Sequence, residues 1–236
     1  LASGLVAGAR LANLKPVYCS YPITPASSVL EYLAGYKEHG VVTVQAEDEI
    51  AAVCAAIGAS YAGTLGMTGT SGPGMALKGE AMGLAISTEL PLVIVDVQRA
   101  GPSTGMPTKV EQSDLLSSIM GRNGDAPMPV IAASKPSDAF EMAIEACRIA
   151  VEYMTPVILL SDNFIANGSE PWPLPDMDAL KPFEAKFTTE GGEDFEPFSR
   201  NDRLARPWVK PGPPGMMTRI GGLEQAPTSN ISYAPD

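Results

Sequence analysis

The run Leu92-Val93-Ile94-Val95-Asp96-Val97 constrains this chain more than any other stretch. Apolar side chains stand at both odd and even positions, and only Asp96 interrupts them, so neither face of the strand is left for water. Such a strand is covered on both sides, as in the interior of a parallel sheet flanked by helices.

The surrounding pattern supplies the rest of that sheet. Residues 17–20, 41–46, 64–70, 130–133 and 157–160 read as further strands, rich in Val, Leu and Ile. Between them, residues 26–39, 48–62, 73–88, 113–120 and 137–154 read as helices. Thr24 is placed to cap the 26–39 helix, Pro25 to occupy its first position and Gly40 to stop it. Alternation of this kind predicts an α/β fold: a doubly wound, mostly parallel sheet with right-handed crossovers.

From about Ala166 the composition changes. Eleven of the 22 prolines follow that point, with Gly191-Gly192 and Pro211-Gly212-Pro213-Pro214-Gly215 among them. This cannot build a second core, so the expected organisation is an α/β domain over residues 1–165 and an extended Pro/Gly-rich arm or linker over 166–236. Trp172, Phe195, Phe198, Trp208 and Tyr233 favour an arm laid on a neighbour's surface, because a free linker gains nothing from exposed rings.

A formal charge of −11 and a pI near 4.6 argue against nucleic-acid or anionic-membrane partners. No apolar run is long enough to cross a bilayer. The opening Leu1 to Arg10 has no initiator Met and no basic leader, and reads as a chain entered within a helix, hence as a piece of something longer. Cys19, Cys54 and Cys147 are far apart and lie in strand or helix patterns. Buried thiols in a reducing, cytoplasmic compartment are expected, and an iron–sulfur cluster built from this chain alone is excluded. His39, before Gly40, reads as a helix-end dipole partner.

The unusual sequences all follow strands: Tyr21-Pro22-Ile23-Thr24-Pro25, Gln45-Ala46-Glu47-Asp48-Glu49, Thr70-Ser71-Gly72-Pro73-Gly74, and Gln98-Arg99-Ala100-Gly101-Pro102-Ser103-Thr104-Gly105. In a parallel sheet those exits share one edge, where open α/β sheets bind ligands. Asp48 and Glu49 suit a helix N-terminus. Glu47, between Val44 and an apolar helix, is expected to be partly desolvated, which would tune a carboxyl for acid–base work. Arg99 could offer a bidentate fork to a small carboxylate, or pair with the acids at 47–49. Lys109 reads as a solvated loop charge.

Three standard chemistries fail here. Gly69-Thr70-Ser71-Gly72-Pro73 resembles a nucleophile elbow, but no histidine follows Ser71. Gly72-Pro73-Gly74 with Asp96 mimics a dinucleotide fingerprint, yet Leu77 stands where the third glycine belongs. No phosphate-binding Gly-Lys-Ser/Thr loop is present, and a metal site would rest on scattered carboxylates.

Together the four exit motifs resemble the alpha subunit of 2-oxoacid:ferredoxin oxidoreductases, especially the 2-oxoglutarate branch. The likeness runs from Leu1 to about Asp162 and returns at Arg206-Pro207-Trp208 and through Arg219-Ile220-Gly221-Gly222-Leu223-Glu224. It implies a pyrimidine-binding domain for thiamine diphosphate. A partner beta subunit would carry the diphosphate-binding domain, Mg2+ and the iron–sulfur cluster, in a hetero-oligomer that uses coenzyme A and ferredoxin.

The resemblance makes Glu47 the catalytic acid on a pyrimidine nitrogen. It places Thr70, Ser71 and Gly72 at the cofactor, and Thr24 and Arg99 at the 2-oxoacid, with Lys109 available for a second carboxylate. By itself the chain is then expected to be catalytically silent. The alternatives are a stand-alone nucleotide-binding α/β enzyme, using the turn from Gly72 to Gly79, and a non-catalytic scaffold subunit.

Overall fold

Among the described residues, six strands form one sheet in the order β2-β1-β3-β4-β6-β5, and every adjacent pair is parallel. They are β1 (Pro16–Ser20), β2 (Val42–Gln45), β3 (Leu65–Thr70), β4 (Leu92–Gln98), β5 (Val130–Ala132) and β6 (Pro156–Asp162). The helices are α1 (Ala2–Leu11), α2 (Ser27–Ala34), α3 (Glu49–Tyr61), α4 (Gly72–Leu77), α5 (Gly79–Ser87), α6 (Leu115–Met120), α7 (Asp138–Tyr153) and α8 (Asn163–Asn167). This computed structural model describes residues 1–192 and 194–234.

The apolar run from Leu92 forms β4, and all seven residues of that strand are buried. Val93, Val95 and Val97 pack into one cluster with Leu5 and Ala9 of α1 and Ala143 and Cys147 of α7. Leu92 and Ile94 point the other way, among Val53 and Ala56 of α3 and Ala81 and Ala85 of α5. Each such side chain contributes about 1.5–3 kcal/mol of burial, so this strand anchors both layers. Helix α1 lies close on α7, since a Cβ at Gly8 would stand 2.7 Å from Cys147 Sγ.

Several boundaries differ from the sequence expectations. The 26–39 helix is shorter: α2 ends at Ala34, and Lys37–His39 forms a separate 3-10 turn. Its N-cap is Ala26, not Thr24. Ser27 Oγ closes that turn instead, accepting from Ile23 N–H at 2.8 Å and donating to Ile23 O at 3.0 Å. The expected 73–88 helix is two helices jointed at Lys78. Strand β6 runs on to Asp162, whose carboxylate caps the unforeseen α8 by accepting from Phe164 and Ile165 N–H. Cys19 and Cys147 are buried, but Cys54 is exposed, on a face of α3 that no part of this chain covers among the described residues.

After α8, residues of the Pro-rich segment pack on this chain's own α/β layers. Phe183 N–H donates to Leu11 O at 3.1 Å and Ala185 N–H to Ala12 O at 2.9 Å, beside α1. Trp208 is 2% exposed; its indole donates to Ser60 O at 3.2 Å and its ring tilts against Phe187 at 4.8 Å. Arg206 Nε donates to the carbonyls of Thr88 and Glu89, and burial pulls its pKa down to about 10. A cavity of about 900 Å3 opens between the end of α7 and this segment, away from the four strand exits.

Candidate functional site

With all strands parallel, the exits from β1, β2, β3 and β4 lie along one edge. The chain goes from β1 outward to β2, then crosses back to β3 and on to β4, so the topology switches between β1 and β3. The crevice there is spanned by a hydrogen bond between Tyr21 Oη and Thr70 Oγ1 at 2.9 Å. Burial pushes the Tyr21 phenol well above its ordinary pKa, so it stays protonated. Gly74 belongs to the same contact. A Cβ at that position would collide with Tyr21 Oη and Thr70 Oγ1, and would stand 3.0 Å from Glu49 Cγ. Ser71 Oγ is buried and has no hydrogen-bond partner among the described residues. A buried hydroxyl in that condition is costly unless something else bonds to it.

Glu47 sits at this edge but is exposed, contrary to the expected desolvation. The reason is the strand order: β2 is the outermost strand, with β1 as its one neighbour, so its exit is covered from one side only. Val44 and Ile50, three residues to either side of Glu47, are exposed as well. Asp48 does what its position predicts, accepting from Ala51 N–H at 2.8 Å as the N-cap of α3. Glu49 opens the helix half-buried, near Tyr21 and Gly74.

Arg99 is 5% exposed and pairs with none of the acids at 47–49. Its Nη1 donates to Thr24 O at 2.6 Å and its Nη2 to Thr104 O at 2.9 Å, tying the first exit to the fourth. Nε has no partner among the described residues. The guanidinium lines a cavity of about 460 Å3 together with Gly72, Gly101, Ser103 and Asp114. Thr24 also borders a second cavity of about 690 Å3, with Ser28, Thr108 and Asn163.

Lys109 is exposed and lines neither cavity, although its backbone pins the loop through Ala100 N–H to Lys109 O at 3.0 Å. Thr24, Arg99, Thr70, Ser71 and Gly72 are therefore brought together, Glu47 stands at the open side, and Lys109 stands apart.

Two features escaped the sequence reading. Asp96 is wholly buried, and burial with the adjacent Asp114 carboxylate pushes its pKa well above the usual range. Its signal was visible as the single acid in an apolar run; Asp114 offered none. Lys78 is also wholly buried, and nothing in its local pattern distinguished it from a surface lysine.

Residues 8–225 match the family described as pyruvate flavodoxin/ferredoxin oxidoreductase, thiamine diphosphate-binding. The 2-oxoglutarate oxidoreductase subunit KorA of Mycobacterium tuberculosis is 57% identical over 237 residues, covering 100% of this chain and 36% of that protein. The 2-oxoglutarate synthase subunit KorA of Archaeoglobus fulgidus is 43% identical, over 72% of this chain and 49% of its own. Among solved structures, the 2-oxoglutarate:ferredoxin oxidoreductase of Magnetococcus marinus, with 2-oxoglutarate, coenzyme A and succinyl-CoA bound, superposes with a TM-score of 0.91. That match has 38% identity and covers 99% of this chain and 41% of the other. The chain thus spans between about a third and a half of the length of these relatives.

Proposed function

From the premise that this chain belongs to the thiamine diphosphate-binding family of pyruvate flavodoxin/ferredoxin oxidoreductases, we propose that it is the pyrimidine-binding part of an alpha subunit whose assembled enzyme oxidatively decarboxylates 2-oxoglutarate. The observation that carries the reading is the crevice between β1 and β3. Its walls carry the Tyr21–Thr70 hydrogen bond and the unpartnered Ser71 hydroxyl, Glu49 stands half-buried beside it, and Glu47 is exposed at the neighbouring β2 exit.

The residues present fit the cofactor. Ser71 Oγ is a buried hydroxyl in need of a partner, Gly74 keeps the crevice floor free of a side chain, and Gly72 has nothing closer to a Cβ than the Asp114 carboxylate at 3.7 Å. Glu47 would hold a proton against a pyrimidine nitrogen, and the β1 and β3 exits would flank the ring. When bound, thiamine diphosphate supplies the carbon centre that stabilises the electron pair left when a 2-oxoacid loses CO2.

Glu47 can serve in that role only if its carboxyl is taken out of water, and this chain leaves it exposed. The missing cover would come from a partner beta subunit laid over Val44, Glu47 and Ile50, bringing the diphosphate-binding domain, Mg2+ and the iron–sulfur cluster. Arg99, with Thr24, would take the substrate's 1-carboxylate, its planar fork already oriented by two backbone carbonyls. Lys109 would approach the distal carboxylate from the exposed side of the loop. Coenzyme A would receive the acyl group and ferredoxin the electrons.

The test is Glu47→Gln in the enzyme assembled with its partner subunit, assayed as substrate-dependent reduction of an electron acceptor. Loss of a proton-transfer group of this kind costs roughly 10²–10⁴-fold. Activity within twofold of the parent would instead identify a scaffold subunit. Nucleotide binding by the isolated chain at the turn from Gly72 to Gly79 would favour the stand-alone enzyme.

A further inference from the structure

Lys78 forms the joint between α4 and α5, is wholly buried, and has no salt-bridge partner within 4.0 Å among the described residues. Its ammonium donates to Glu49 O at 2.7 Å and lies over the Tyr21 ring, 4.8 Å from the centroid. Asp48 and Glu49 of α3 face it with charges that favour the protonated amine, Cys54 of the same helix lies near, and the Tyr21 phenol faces it from the β1 exit. Burial nevertheless outweighs these groups and lowers its pKa to about 8. An aliphatic side chain would fill the same space without taking a charge out of water, and replacing buried ions by apolar groups is often neutral or stabilising. Fold stability therefore gives no reason for a lysine here.

The geometry around Glu47 gives one. Glu47 leaves an edge strand, so its corner has a sheet neighbour on one side only. On that side Ala46 N–H donates to Ser20 O at 2.7 Å. On the other, the anchor is Lys78 on Glu49 O. Glu47 and Asp48 are the two residues held between these points. The same ammonium faces Tyr21, whose hydroxyl bonds Thr70, so one buried cation joins the exits of β1, β2 and β3.

We propose that Lys78 is a positioning residue for Glu47: by fixing the first turn of α3 against Tyr21 it sets the direction in which the Glu47 carboxylate enters the cofactor crevice. This rests on the reading of Glu47 given above, and the test separates the two.

In the enzyme assembled with its partner subunit, thiamine diphosphate affinity is measured by titration calorimetry with Mg2+ present, for the parent, Lys78→Met and Glu47→Gln. Alongside, the urea midpoint of each is followed from pH 7 to 10. The expected result is affinity at least tenfold weaker in Lys78→Met, with a urea midpoint at pH 7 equal to or above the parent's. The folded pKa of Lys78 lies below the unfolded value of 10.5, so between them the unfolded chain binds more protons and stability rises with pH. That rise is expected in the parent and not in Lys78→Met.

Affinity of Lys78→Met within twofold of the parent, with Glu47→Gln impaired, overturns the proposal and leaves the Glu47 reading standing. Weaker binding accompanied by a lower urea midpoint makes Lys78 merely structural and also overturns it. Glu47→Gln that binds and turns over like the parent removes both. Should Lys78→Met fail to assemble, the parent decides: affinity that falls at least threefold from pH 7 to 9.5 supports the lysine's role, and a flat profile refutes it.

Discussion

Replacing Trp208 by alanine tests whether the Pro-rich segment is part of the folded core. The indole is 2% exposed, packs on Phe187 and enters the same cluster as Val93 and Leu159. Removing a buried tryptophan costs about 3–5 kcal/mol through lost transfer energy and the cavity left behind. Its hydrogen bond to Ser60 O adds little, because that carbonyl keeps the Gly63 N–H at 3.0 Å. A loss of about 4 kcal/mol lowers the urea midpoint by roughly 1.5 M for a chain of this size. Equilibrium urea unfolding followed by far-UV circular dichroism measures it. Leu174→Ala is the control, since that side chain is 86% exposed in the same segment and its removal should leave the midpoint unchanged. A Trp208→Ala midpoint within about 0.3 M of the parent would refute the reasoning, because the segment would then contribute nothing to the core.

Asp96 makes a prediction of sign. Its folded pKa is raised above the unfolded value, so the folded chain binds more protons there, and stability falls as pH rises from the ordinary carboxylate range through the folded pKa. Asp96→Asn keeps the neutral shape, and is expected to raise the urea midpoint at pH 7 and to flatten its fall between pH 4 and 8; a lower midpoint at pH 7 would contradict this. For Lys109→Ala in the assembled enzyme, a reduced preference for 2-oxoglutarate over pyruvate is expected. An unchanged ratio of kcat/KM values would remove Lys109 from the substrate site.

Much of this architecture is legible without coordinates because its determinants are local. A strand apolar at every position, as in β4, has to be covered on both faces, and repeated alternation with helices leaves parallel pairing as the outcome. Once the strands are parallel, the four exit motifs necessarily share an edge, which is why Tyr21, Thr70 and Arg99 could be grouped before their distances were known. The Asp48 cap belongs to the same class, being a matter of one side chain and an amide three residues on.

The remainder depended on which elements become neighbours. Glu47 has the same local sequence whether β2 lies inside the sheet or at its edge, and the edge position alone leaves its carboxylate in water. Lys78 follows Leu77 in a helix pattern that any surface could carry. The approach of α3 and Tyr21 buries it. The Pro-rich residues have no periodicity from which a docking face could be read, and their place was decided by the surface that Ser60 and the α1 end present to Trp208 and Phe183. Periodicities, caps and the shared edge of the exits are legible in residue order, because they follow from bonds between near neighbours in the chain. Burial of individual charges was decided by tertiary structure alone, because desolvation is the sum of what every distant segment brings within a few ångströms.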